Sequence, residues 1–357
     1  MTRPDGSTDI QFVTMDAPRA DEVVVRIVAT GICHTDVANF TGSRVPKPVV
    51  LGHEGAGVVE AIGSAVTAVA PGDPVILSSS SCGRCSACLA GMPARCRNSA
   101  AMAFGARRLD GSCGLHAGQE PIGSHFFSQS SFGAYALTYE RSCVPAPADV
   151  ALELLGPLAC GIQTGAGAVL NTLKLGPRDT LGVLGVGAVG LAAVMAGALA
   201  GVHRILAIDV HGNRLELARE LGATDILSAG APEDLVSRIR AVFPDGLDAV
   251  VDTSGHIESL RVILGALGSG GRLALISSAK GAEAPFKPID LVMGSRQIVG
   301  IAGGGAPARA FIPELIGYYR SGRFPFDRLV TFYPFSELRQ AVADLESGKT
   351  IKPVLRM

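Results

Sequence analysis

Tryptophan is absent from this chain of 357 residues, and tyrosine occurs only 5 times. Aromatics make up 5% of the sequence, so large aromatic patches are excluded, and the 45 glycines favour tight turns instead. A dominant charge is missing too. Lysine and arginine total 31 against 32 acidic residues, and the basic ones are scattered. That removes the electrostatic footprint of a nucleic-acid binder. With 48% hydrophobic and 18% charged residues, intrinsic disorder is excluded as well. There is no sequence repeat and no low-complexity segment. The opening MTRPDGSTDI is polar and holds no apolar stretch of the signal-peptide kind. The expected location is the cytoplasm, where thiols stay reduced and cysteines are more often ligands or nucleophiles than disulfides.

One long uncharged run is present. LGVLGVGAVGLAAVMAGALAGV, residues 181–202, is long enough to cross a bilayer, for which roughly 20 apolar residues suffice. Its internal pattern argues against that. Gly185, Gly187 and Gly190 form G-x-G-x-x-G between a strand-like run and a helical run, and Asp209 ends the next strand, RILAID, at the spacing of a ribose-binding acid. Gly185 permits a tight turn, Gly187 lets the backbone approach a pyrophosphate, and Gly190 lets helix pack on strand. The helix start at Ala188 and Val189 then offers free N–H groups and a positive dipole end to phosphates. A transmembrane helix has no use for turn-forming glycines near its start, and no second span exists. Strands covered on both faces are near-continuous apolar runs in any case. Asp209 accepts hydrogen bonds from ribose hydroxyls and repels a 2′-phosphate, which selects NAD over NADP; the plain alternative is an ordinary strand-end aspartate. Arg214 lies near enough to touch the adenosine ribose or a phosphate.

Around this motif the chain changes texture. From residue 21 to 144, EVVVRIVATG, VVLGHEGAGVVEAIG and DPVILSS are strand-like runs broken by glycine and proline. From about residue 154, short apolar runs alternate with helical patterns such as NRLELARELGA, which implies βαβ units and a parallel sheet. The tail from residue 306 is mixed. The expected class is α/β, and the expected divisions are residues 1–153, 154–304 and 305–357.

The cysteines fall into two groups. CGRCSACLAGMPARC holds Cys82, Cys85, Cys88 and Cys96, two C-x-x-C steps sharing one cysteine with a fourth close behind. Four thiolates in one loop, residues 80–100, fit a closed tetrahedral zinc site that holds a lobe together. Disulfide pairing is the alternative, and a cytoplasmic chain disfavours it. Cys33, His53 and Cys160 are dispersed, and spacing alone does not join them. Each reads separately as a buried thiol or a satisfied histidine.

GICHTD, GHEGAGVVEAIG, the four-cysteine loop, CGIQTGAGAV, GVGAVG and the strand-end aspartate occur in the order found in the zinc-dependent medium-chain alcohol dehydrogenases, which this chain resembles over nearly its full length. The resemblance implies a GroES-like β-rich catalytic domain interrupted by a Rossmann domain with a doubly wound parallel sheet. It implies NAD, two Zn2+ per chain and a small alcohol or aldehyde as partner, with no nucleic acid and no membrane. It also implies a homodimer or homotetramer that pairs the last Rossmann strand, near RQIVGIAGG.

By the same resemblance, Cys33, His53 and Cys160 hold a catalytic zinc, a Cys2His set known for this enzyme class. The fourth position is left to water or substrate, and hydride leaves a zinc-bound alkoxide reversibly. Glu54 is similar to a carboxylate behind the metal that exchanges as a ligand, and Asp36 to the acid that orients the zinc-bound histidine. Thr35 resembles a proton-relay hydroxyl, and His34 a pyrophosphate contact. Thr164 is similar to a residue beside the nicotinamide, and Lys352 to a basic residue on a cofactor phosphate. Some relatives carry a relay histidine where this chain has Ala38, so water and the ribose end the relay, or His125 or His116 is recruited. Cys113 and Cys143 read as plain buried thiols. The first strand is shorter than is usual in the family, so the catalytic domain is expected to lack part of an edge strand.

HFFSQSSFGAYAL, ELLGPLACGIQTGAGAVLN and FIPELIGYYRSGRFPFDRLVTFYPF are most similar to aryl-alcohol (benzyl-alcohol) and geraniol dehydrogenases. They imply a primary alcohol beside an unsaturated apolar group, with Phe40 and Phe104 as candidate pocket residues. Polyol or secondary-alcohol oxidation on the same fold, and a silent nucleotide-binding relative, are the alternatives.

Overall fold

The structure, a computed structural model, describes residues 1–277 and 282–357 in two compact units. The first comprises Met1–Gly161, Ala306–Ile316 and Asp327–Met357. Its main sheet runs Val330–Pro334, Lys352–Arg356, Glu22–Gly31, Gly55–Ile62, Pro74–Leu77, Cys143–Pro145. Glu22–Gly31 is central. It pairs along one edge with Gly55–Ile62, and along the other with Tyr135–Tyr139 and then Lys352–Arg356. Strands around it leave little of it in water, so EVVVRIVATG is buried almost throughout. The C-terminal strand therefore lies beside Gly31, with Val354 opposite it, and brings Lys352 close to Cys33. The opening segment adds only the two-residue strand Thr14–Met15, on Leu115–Ala117.

The second unit comprises Ile162–Gly305 and Gly317–Phe326. Its six strands are all parallel, in the order Asp225–Ser228, Arg204–Asp209, Thr180–Leu184, Leu247–Asp252, Leu267–Leu275, Gln297–Gly300. Thr180–Leu184 has its next strand in sequence on one side and Leu247–Asp252 on the other, so the winding reverses there, at the place where open α/β sheets bind ligands. The uncharged run becomes this strand, a turn at Gly185 and the helix Ala188–Leu199. Residues Gly190 through Gly197 are all buried, which accounts for the missing charge. Among the described residues no helix is long and apolar enough to cross a membrane.

The first unit runs through residue 154 to Gly161 and resumes at Ala306. Leu152–Leu154 and Gly156–Ala159 are short 3-10 turns packed on the strands of the first unit, and a Cβ on Gly156 would lie 2.2 Å from the Glu54 carbonyl oxygen. The chain stays with the first unit until Cys160 has been delivered, and Gly317–Phe326 returns to the second.

Candidate metal centres and nucleotide site

Cys33 ends the loop after the central strand and caps the helix His34–Thr41. Asp36, in the first turn, is fully buried and holds three groups. It accepts the backbone N–H of Cys33 (3.0 Å), that of Gly52 (3.1 Å) and Nδ1 of His53 (2.9 Å). A carboxylate accepting at Nδ1 makes Nδ1 the protonated nitrogen and leaves Nε2 as a ligand atom. Nε2 lies 3.2 Å from Cys160 Sγ. The donor atoms of Cys33, His53, Glu54 and Cys160 all fall within 4.8 Å of one another. Two thiols and an imidazole at such separations are a donor set suited to zinc. Burial disfavours charge on His53, but Asp36 and the Cys33 thiol outweigh it and hold the imidazole well above its ordinary pKa.

Glu54 lies behind this cluster with no exposed surface. Its carboxylate reaches that position because residue 31 has no side chain, since a Cβ on Gly31 would sit 2.1 Å from Glu54 Oε2. The Lys352 ammonium donates to both its oxygens, at 2.9 and 3.0 Å, and to the carbonyl of Ile32 at 3.1 Å. These contacts are a second role for Lys352, beside the cofactor-phosphate contact that the resemblance implies. A lysine has three N–H donors, all three are engaged here, and the side chain is buried. Burial alone would discourage its charge, but Glu54 and the two thiols keep it protonated, above the ordinary lysine value.

Gln129 and Phe127, also at this site, were not singled out from the sequence. Gln129, buried in the HFFSQSSF segment, donates Nε2 to the carbonyls of His53 (3.0 Å) and Leu77 (2.9 Å) and accepts the Gly55 N–H at 3.0 Å. It binds the ligand strand to its neighbours. Phe127 stacks on the His53 ring, centroids 4.5 Å apart, and Phe104 meets Phe127 edge-on at 5.2 Å. A glutamine and a phenylalanine inside one segment carry no spacing signal that would mark them. Phe40 and Phe104 pack against the same hydrophobic core. His125 contacts the Ser124 hydroxyl (2.9 Å) and faces Glu22 at 3.5 Å, and His116 pairs with Asp16 at 3.0 Å. Both are held in an ion-pair network around Arg108, not by the metal cluster. Cys113 and Cys143 are buried, and burial pushes the Cys143 thiol up to about 12.

The second cysteine cluster is local. All eight cysteines are free thiols, which removes the disulfide alternative. Sγ of Cys88 lies 3.5 Å from that of Cys85 and 4.0 Å from that of Cys82. A tetrahedron with zinc–sulfur bonds of about 2.3 Å has edges of about 3.8 Å, so the thiols fit the ion. The Cys82 and Asn98 backbone N–H groups both donate to Cys96 Sγ, at 3.3 and 3.4 Å, which favours a thiolate there once a metal is bound.

In the parallel-sheet unit, Gly185 has φ of +84°, which a side chain rarely adopts. A Cβ on Gly190 would lie 1.9 Å from the Gly185 carbonyl oxygen, so helix and strand touch there. A Cβ on Gly187 would meet nothing within 4 Å. The space above Gly187 is open, at the start of a helix, and fits a phosphate. Asp209 accepts the Val186 N–H at 2.7 Å and the His211 N–H at 2.9 Å, so it braces the glycine loop and still has lone pairs to offer. Arg214 Nε is buried without a hydrogen-bond partner, and Thr164 is also buried.

Residues 19–148 match the model of the alcohol dehydrogenase GroES-like domain, and residues 188–317 that of zinc-binding dehydrogenases. A geraniol dehydrogenase from Castellaniella defragrans is 41% identical over 352 residues, 98% of this chain and 94% of that one. A solved benzyl alcohol dehydrogenase from Acinetobacter calcoaceticus superposes with a TM-score of 0.94 at 40% identity, covering 100% of this chain and 97% of the other. An alcohol dehydrogenase zinc-binding domain protein from Burkholderia ambifaria superposes with a TM-score of 0.95 at 45% identity, over 99% and 97% of the two chains.

Proposed function

Because the chain belongs to the zinc-binding alcohol dehydrogenase family, we propose that it interconverts a primary aromatic or allylic alcohol and its aldehyde. In this reading it uses NAD and two zinc ions per chain, in the cytoplasm, as a homodimer or homotetramer. The observation that carries it is the convergence of Cys33, His53 and Cys160, far apart in sequence, into one buried donor set beside Glu54. When bound, zinc supplies Lewis acidity toward an alcohol oxygen and the dinucleotide accepts hydride.

The chain's own residues do the rest. The Cys33 and Cys160 thiolates offset the charge of a divalent ion, so a neutral product is not trapped. Asp36 fixes the His53 tautomer. Lys352 holds the Glu54 carboxylate by both oxygens, ready but restrained. Thr35, in the first turn after Cys33, takes the alcohol proton and hands it on to solvent, since Ala38 supplies no base. In this reading the amide groups at Ala188 and Val189 serve the pyrophosphate, Thr164 the nicotinamide, and Asp209 and Arg214 the adenosine ribose. A carboxylate at Asp209 disfavours a 2′-phosphate, hence NAD. The names of the geraniol and benzyl alcohol relatives and the Phe104–Phe127 wall support an unsaturated alcohol. The outer edge of Gln297–Gly300 and the exposed Phe286, Ile289, Val292 and Met293 support self-association; a monomer in sedimentation would count against it.

The test follows NADH or NADPH absorbance with benzyl alcohol, geraniol, ethanol and a polyol. Benzyl alcohol or geraniol with NAD should give the highest kcat/KM. Ethanol or a polyol ahead of both would refute the substrate class, and equal kcat/KM with NADP would refute the Asp209 argument.

A further inference from the structure

We infer that the protein selects an unsaturated alcohol bearing a negative charge at the end away from its hydroxyl, with Arg44 as the residue that reads that charge. The inference rests on the alcohol dehydrogenase reading above and names the substrate class of the same site.

A continuous aromatic wall starts at the metal-ligand candidate. Phe127 lies on the His53 ring at 4.5 Å with 27° between the planes. Phe104 follows at 5.2 Å, and the Arg44 guanidinium carbon stands 3.5 Å from the Phe104 ring centroid. Phe104 and Phe127 are half-buried, so the wall is neither sealed in the core nor open to bulk water. The loop that presents it is held in an unfavourable backbone form. Phe127, Ser128 and Ser130 have φ of 49°, 62° and 51°, left-handed values that residues with a Cβ avoid. Hydrogen bonds keep it there: Ser130 Oγ accepts the Phe126 N–H at 2.9 Å, and Thr138 Oγ1 donates to the Ser128 carbonyl at 2.7 Å. Backbone strain retained beside a candidate metal site points to placement of the ring it carries.

A flat π-system lying along that wall gains offset or edge contacts that a saturated chain does not. At the far end stands a cation. Arg44 is exposed and, among the described residues, has no hydrogen bond and no carboxylate partner; it lies on the face of Phe104. With its central carbon 3.5 Å over the ring, the guanidinium has N–H donors to spare beyond its contact with the ring. A carboxylate carried by the distal end of a substrate takes two of those donors side by side. A neutral hydrocarbon end takes none.

The experiment compares benzyl alcohol with 4-(hydroxymethyl)benzoate on the zinc-loaded wild-type, Arg44→Met and Arg44→Lys proteins with NAD. Wild type should favour the carboxylate by about five- to tenfold in kcat/KM, expressed in KM, since the contact is made equally in the ground and transition states. Raising the salt concentration should shrink the ratio. Arg44→Met should bring it to one or below, and Arg44→Lys should keep part of it. Calorimetric titration of 4-(hydroxymethyl)benzoate should give the same order of affinities without turnover. If benzyl alcohol is oxidised but the acid is not preferred, or if the preference survives in Arg44→Met, this inference is overturned while the dehydrogenase reading stands. If benzyl alcohol, geraniol and the acid are all inert, that reading fails and the inference with it.

Discussion

Replacing Lys352 by methionine separates two roles for this side chain. In the structure its ammonium is buried and fully engaged by Glu54 and the Ile32 carbonyl. Methionine matches the length of the stem but removes the cation, leaving a carboxylate with no exposed surface beside two thiols. Breaking one side of a buried ion pair typically costs about 3–5 kcal/mol, because the remaining charge is desolvated and uncompensated. That is a fifth or more of the stability of a typical domain at roughly 5–15 kcal/mol. For a unit of this size it lowers the melting temperature by roughly 6–20 °C, at about 2–4 °C per kcal/mol. A metal ion bound nearby offsets part of the loss. The assay is thermal and urea unfolding by circular dichroism, with zinc content measured on the same samples. The double variant Glu54→Gln with Lys352→Met carries neither charge and should recover most of the stability, a coupling that only a direct pair produces. If Lys352→Met unfolds like wild type and loses only NAD affinity, the lysine serves a cofactor phosphate and the reasoning here is wrong.

The buried carboxylate of Glu22 is held at about 2, below its ordinary 4.5; burial works the other way, but His125, Arg108 and the Arg19 N–H outweigh it. A pKa depressed on folding means that this stabilisation is complete above about 4.5 and is lost as pH falls toward 2, so Glu22→Gln should show a shallower acid-unfolding profile over that window than wild type; identical slopes would contradict the pairing. Cys88→Ser should drop the zinc content from two ions to one and lower the melting temperature while the Cys33 site stays loaded, and full metal content with unchanged melting would count against a structural ion. Gln129→Leu leaves the Gly55 N–H and the His53 and Leu77 carbonyls buried without that partner. At about 1–3 kcal/mol for an unsatisfied buried group, it should cost at least about 2 kcal/mol and speed zinc loss to a chelator, and zinc retention equal to wild type would refute its hold on the ligand strand.

Some of the protein was decided by short-range sequence. The glycine motif specifies a turn, an open approach and a close helix–strand contact within six residues, because those demands are set by backbone sterics alone. The four-cysteine loop is similar, since its ligands close on one ion through a short segment and need no distant partner. The alternation of apolar runs and helical patterns was enough for a parallel sheet, because covered strands must be apolar on both faces. What tertiary structure decided is everything that depends on non-neighbouring strands. Cys33, His53 and Cys160 meet only because the central strand, the Gly55 strand and the turns before Cys160 converge. Lys352 meets Glu54 because the last strand pairs beside Gly31, where the missing side chain leaves room for the carboxylate. Gln129, Phe127 and Arg44 have no local pattern at all. Their roles come from hydrogen bonds and ring contacts formed across the fold, where burial and distance, not order along the chain, determine which groups interact.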